Sequence, residues 1–88
     1  MIALARRAAL DALRQIDEER LDMGEAVARA RKPLTDERDR ALLLEVVSGT
    51  LRMRAAIDYQ LALRLTRPIG RLDAMVRDIL RMSAFQLM

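Results

Sequence analysis

The sequence contains no cysteine and no histidine. The first absence excludes a disulfide framework and thiol chemistry. The second removes the commonest general base and a principal zinc ligand. Aromatics are almost as scarce, Tyr59 and Phe85 making up the whole 2%. So few rings argue against a single-stranded nucleic-acid groove built on stacked bases. The three glycines, Gly24, Gly49 and Gly70, stand far apart and form no phosphate-cradling loop. No uncharged run approaches the roughly 20 residues of a membrane span. The opening MIALARRAALDAL carries arginine and alanine but no apolar signal-peptide core. A cytoplasmic chain with no membrane partner is expected.

What is present is a helix-forming mixture. The 88 residues are 52% hydrophobic and 33% charged, which suits one small all-α domain over 1–88 and not a disordered chain. The core must be built from Leu, Ile, Val, Ala and Met. All of the 16 basic residues except Lys32 are arginine, and the formal net charge is +3. Arginine matches phosphate and carboxylate better than lysine does, although the base composition of a coding sequence gives the same bias. A charge of +3 does not by itself point to nucleic acid.

The stretch Asp36 to Leu65 organises the rest. Leu43, Val46, Val47, Thr50, Ile57, Leu61 and Leu65 recur at steps that place them on one stripe of a helix. Leu42 and Leu51 widen that stripe, so the helix belongs in the middle of a bundle. Mid-helix Gly49 costs about 1 kcal/mol against alanine; a crossing neighbour or a bend after it is the expected reason. Thr35 is the expected N-cap, with Asp36 and Glu37 in the first turn.

A first helix is expected over residues 3–18. Its apolar face is Ala5, Ala8, Ala9, Ala12, Leu13 and Ile16, and its outer face carries the pairs Arg7–Asp11 and Arg14–Glu18. The acids Asp17, Glu18 and Glu19 oppose the helix dipole and predict fraying. A second helix spans 22–31, with Met23, Ala26, Val27 and Ala30 inward, and Pro33 stops it. A last helix runs from Leu72 to the end, on the stripe Leu72, Val76, Ile79, Leu80, Ser83 and Leu87, with an Asp73–Arg77 pair. The methionines read mainly as core filling. The apolar pattern reaches Met88 without a stop signal, which predicts an exposed C-terminal face and self-association.

Catalytic signals are weak. Ser48, Ser83, Thr35, Thr50, Thr66 and Tyr59 have no histidine to activate them. Acidic neighbours such as Asp36 and Asp39 read as caps and surface charge. Composition and spacing alone give a small helical binding or accessory domain.

The order of motifs adds to this. The run DRALLLEVVSGTLRMRAAIDYQL, followed by RLDAMVRDILRMSAFQLM, resembles the N-terminal NusB-like domain of the RsmB (Sun/Fmu) family of 16S ribosomal RNA cytosine-5 methyltransferases. The residues that carry the likeness are Asp39, Arg40, Val46, Val47, Gly49, Leu51, Arg52, Arg54, Ile57, Asp58 and Leu61. It continues through Leu72, Asp73, Val76, Arg77, Leu80, Arg81, Phe85, Gln86 and Leu87. ARRAALDAL looks like the first helix of the same superfamily. Gln86, where NusB proteins tend to carry glutamate, and the run from Gly49 to Arg54 favour the methyltransferase branch over free-standing NusB.

The resemblance implies an antiparallel NusB-like bundle of about four helices whose C-terminal part is missing. It implies an RNA-binding accessory domain that helps recruit small-subunit ribosomal RNA. The S-adenosylmethionine of such enzymes belongs to a catalytic domain outside this chain, which itself has no cofactor site or catalytic residues. The resemblance assigns RNA contact to Arg6 and Arg7, and Arg52 and Arg54 match the family pattern. Salt bridges to Asp58 or nearby acids are the structural alternative for the latter two. The other readings are a NusB-type transcription antitermination factor binding boxA RNA and NusE, and a helical interaction module without RNA.

Overall fold

The computed structural model describes residues 4–87, and among them every regular element is helical. The helices are α1 (Leu4–Glu18), α2 (Met23–Arg31), α3 (Glu37–Arg52), α4 (Arg54–Ala62) and α5 (Ala74–Leu87), with one 3-10 turn at Ile69–Arg71. Five α-helices stand where four were expected, because the long central helix breaks at Met53. The expected start at residue 3 and the run to Met88 lie outside the described residues.

The core lies where α1 crosses α3. Ala5, Ala8, Ala9 and Ala12 are buried on α1, and such short side chains let another helix approach closely. Leu13 on α1 and Leu43, Val46 and Val47 on α3 fill the layer, and Ala26 of α2 and Met82 of α5 close its sides. As the periodicity predicts, α3 packs against α1, α2, α4 and α5. Two core residues were not expected: Leu10, and Leu34 in the loop before α3, whose carbonyl accepts from Arg40 Nε at 2.7 Å. Met23 and Met75 are exposed, so core filling holds for Met82 and not for these two.

Helix ends follow local chemistry. Asp22 accepts from Glu25 N and caps α2. Asp36, not Thr35, caps α3: its backbone is extended and its carboxylate accepts from Arg38 N at 2.8 Å. Asp73 accepts from Met75 N, so it closes the start of α5 and does not pair with Arg77. After α1 the chain reverses at Arg20, whose φ of 56° is left-handed, while Leu21 N–H reaches back to Gln15 C=O. Glycine is the usual occupant of such a position.

Helix α5 lies in the opposite sense to the sequence reading. Its inward side is Asp78, Arg81 and Met82, with Phe85 half-buried. Val76, Ser83 and Leu87, from the expected core stripe, are exposed. Two contacts set this rotation. Asp58 and Asp17 hold Arg81 and Arg77, and the Phe85 ring fills the notch left by Gly49. A Cβ at Gly49 would fall inside that ring, which accounts for a glycine in mid-helix.

Gly49→Ala is therefore expected to destabilise by about 1–3 kcal/mol through overpacking, despite alanine's advantage of about 1 kcal/mol in a helix. Urea unfolding reads this directly. A variant as stable as the parent would show that Phe85 does not depend on the notch. Adding Phe85→Leu should recover part of the loss.

Candidate nucleic-acid interface

The arginines divide by what holds them. Arg54, near the start of α4, donates from Nη2 to Asp17 Oδ1 at 3.1 Å and Oδ2 at 3.4 Å. Arg77 of α5 reaches the same carboxylate, Nη2 to Oδ2 at 3.4 Å. One turn further along both helices, Arg81 grips Asp58 with two parallel bonds of 2.8 Å. Arg77 Nε lies 3.8 Å from Asp78 Oδ1. These six residues form a charge-balanced network that ties the end of α1 to α4 and α5. The acidic run expected to fray α1 thus supplies, through Asp17, the anchor of that network. The resemblance-derived pattern included Arg54; its partner is Asp17 and not Asp58, which belongs to Arg81.

Asp78 is the costly member. It is 2% exposed and its Oδ2 has no hydrogen-bond partner. Burial pushes its carboxyl above the ordinary value of 3.8, and the nearby Asp17 charge pushes the same way. Arg77, Arg81 and Arg54 oppose this without cancelling it.

The exposed arginines lie elsewhere. Arg6 and Arg7 sit on the first turns of α1, exposed, with no carboxylate partner among the described residues. The expected Arg7–Asp11 pair is not among the ion pairs of the described residues, whereas Arg14–Glu18 forms at 3.3 Å. Arg6 Nε donates to the neutral Gln86 Oε1 at 3.0 Å. Arg7 lines an open cavity of about 270 Å³ between α1 and α2, shared with Arg29, Asp11, Gln15 and Pro33. The two arginines therefore flank α1 on different sides. A guanidinium on each side of a helix start can fork onto successive phosphates of a passing strand.

The four sequence-derived positions do not converge. Eleven helical steps separate Arg6 from Asp17, roughly 16 Å along the axis, and Arg54 is held at the Asp17 end. Arg52 is exposed near that same end, at the close of α3, with no carboxylate partner among the described residues. The structure brings Arg6 and Arg7 together at one end and Arg52 and Arg54 at the other. Sequence reasoning missed Asp17 and Gln86 as partners, since both contacts are long-range. A third group, Arg67 and Arg71 with Thr66 and Pro68, lines a loop cavity of about 410 Å³. Among the described residues no cluster of acidic side chains is arranged to hold a metal ion, and no helix is long and apolar enough to cross a membrane.

The network predicts opposite outcomes for two aspartates. Asp17→Asn leaves Arg54 and Arg77 without their shared carboxylate and should cost about 2 kcal/mol. Asp78 works the other way. Its folded-state carboxyl binds a proton more tightly than the unfolded one, so its contribution is full below pH 3.8 and is lost as pH rises through the raised folded value. Asp78→Asn should flatten that decline and leave stability at pH 7 equal or greater. Urea midpoints across pH 3–8 test both. An Asp78→Asn loss as large as that of Asp17→Asn would contradict this account.

Comparison with known proteins gives one family: the model of the NusB family matches residues 3–88. Among curated proteins and among solved structures, no match was found.

Proposed function

The chain belongs to the NusB family, and we propose that it is an RNA-binding accessory domain of a 16S ribosomal RNA cytosine-5 methyltransferase of the RsmB class. On this reading it recruits small-subunit ribosomal RNA by gripping phosphates, with little base readout of its own. The observation that carries the proposal is the pair Arg6 and Arg7, exposed on the first turns of α1 and lacking acidic partners among the described residues. Arg52 offers a further exposed guanidinium, while Arg54 works from within the ion network. Methyl transfer and S-adenosylmethionine binding belong to a catalytic domain and not to these residues. The run from Gly49 to Arg54 and the glutamine at position 86 support the RsmB context.

The alternative is a transcription antitermination factor that binds boxA RNA together with NusE. Family membership supports it equally, and the two differ in RNA preference. The accessory-domain reading also includes self-association through the outward face of α5, where Val76 and Leu87 are exposed. Light scattering at high concentration should show a dimer or larger species, and a clean monomer would remove that part.

Fluorescence anisotropy with small-subunit ribosomal RNA fragments across a salt series tests the main proposal. Binding should weaken steeply with salt, since each phosphate contact releases counterions. The double variant Arg6→Glu/Arg7→Glu should lose at least about tenfold in affinity, because two attractive contacts become repulsive. Undiminished binding by that variant would move the RNA site off α1. A boxA RNA preferred over ribosomal fragments, and strengthened by NusE, would favour the antitermination reading.

A further inference from the structure

Arg6 is held in a different way from the other arginines that cross between helices. Arg54, Arg77 and Arg81 each end on a carboxylate. Arg6 ends on an amide: its Nε donates to Gln86 Oε1 at 3.0 Å, joining the start of α1 to the end of α5. A neutral acceptor fixes a guanidinium without cancelling its charge. The bond also decides which edge is free. Of the five N–H donors of arginine, Gln86 engages the one on Nε, and among the described residues the two Nη groups meet no hydrogen-bond partner. That end carries two N–H bonds aimed the same way, the geometry that takes two phosphate oxygens at once.

The support for Gln86 is itself fixed. Its neighbour Phe85 is seated in the Gly49 notch, which pins the last turn of α5 against α3. Gln86 also lines, with Phe85, Leu42, Val46 and Glu45, a groove of about 230 Å³ between α3 and α5. Glu45 already supplies one carboxylate there. A second acid at position 86 would face Glu45 across the groove and neutralise Arg6.

We propose that Gln86 is a positioning residue for RNA: it orients Arg6 so that the Nη end of the guanidinium meets a backbone phosphodiester, while leaving the positive charge intact. The inference rests on the RNA-binding reading given above.

The test is a double-mutant cycle read by anisotropy on one small-subunit ribosomal RNA fragment. The proteins are the parent, Gln86→Met, Gln86→Glu, Arg6→Ala and the two combinations. Gln86→Met keeps the size and removes the acceptor; about threefold weaker binding is expected, from a misaligned but still charged Arg6. Gln86→Glu keeps an acceptor and adds a charge; about tenfold weaker binding is expected, with the slope of log K against log salt reduced by about one contact, as for Arg6→Ala. In the Arg6→Ala background the Gln86→Met penalty should vanish, since its effect passes through Arg6. Urea midpoints establish that each variant is folded; a variant with a lowered midpoint is measured at a temperature where it is fully folded.

A Gln86→Met penalty that persists without Arg6 overturns the proposal, as do Gln86 variants that bind like the parent. Both outcomes leave the RNA reading standing, because the parent binds. A parent that fails to bind any fragment at low salt overturns that reading and this inference with it.

Discussion

Two guanidinium groups from different helices converge on the carboxylate of Asp17, and much of the molecule depends on that meeting. Asp17 sits at the end of α1, Arg54 just past the break in the central helix, and Arg77 in the first half of α5. One side chain therefore ties three helices at one end of the bundle. The break at Met53 falls where Arg54 is drawn toward Asp17, and α5 is turned with its charged side inward so that Arg77 can reach the same carboxylate. Arg81 and Asp58 repeat the arrangement one turn on, which joins α4 to α5 a second time.

At the other end of α1 the contact is of a different kind. Gln86 meets Arg6 at the end of α5, so α1 and α5 run antiparallel, joined by an ion pair at one end and by an arginine on a neutral amide at the other. The charged end is consumed by structure. The neutral end leaves positive charge available, and Arg7 adds to it from the neighbouring side of the helix. The alanine face of α1 connects the two roles. Because Ala5, Ala8, Ala9 and Ala12 let α3 lie close, α1 is a rigid, buried strut that presents its first turn in a fixed direction. A phosphate contact built on such a helix starts from a backbone already in place and loses less freedom on binding.

Helix α5 shows what the polar contacts cost. Its apolar residues Val76 and Leu87 face outward while Asp78 is buried with an oxygen unpartnered. A purely hydrophobic choice would rotate the helix the other way. Bidentate Arg81–Asp58 bonds and the Phe85–Gly49 fit outweigh that preference, and an exposed apolar stripe is the result.

The sequence by itself determined that the domain is helical, where α1 and α2 lie, and which residues of α3 form the core. Those follow from spacing at 3.6 residues per turn, and the family pattern follows from motif order. It also marked Gly49 as a position needing a crossing neighbour or a bend, and placed Arg7 on the outer face of α1. Only the tertiary structure decided that the neighbour is Phe85, that the central helix divides at Met53, and that Asp17 anchors a network instead of fraying a helix. It also decided that α5 turns Val76, Ser83 and Leu87 outward. Each of these depends on pairs up to 60 residues apart in the chain. Periodicity reports which face of a helix is apolar. It does not report which charged side chain on another helix will claim the opposite face, because that depends on how the helices are placed.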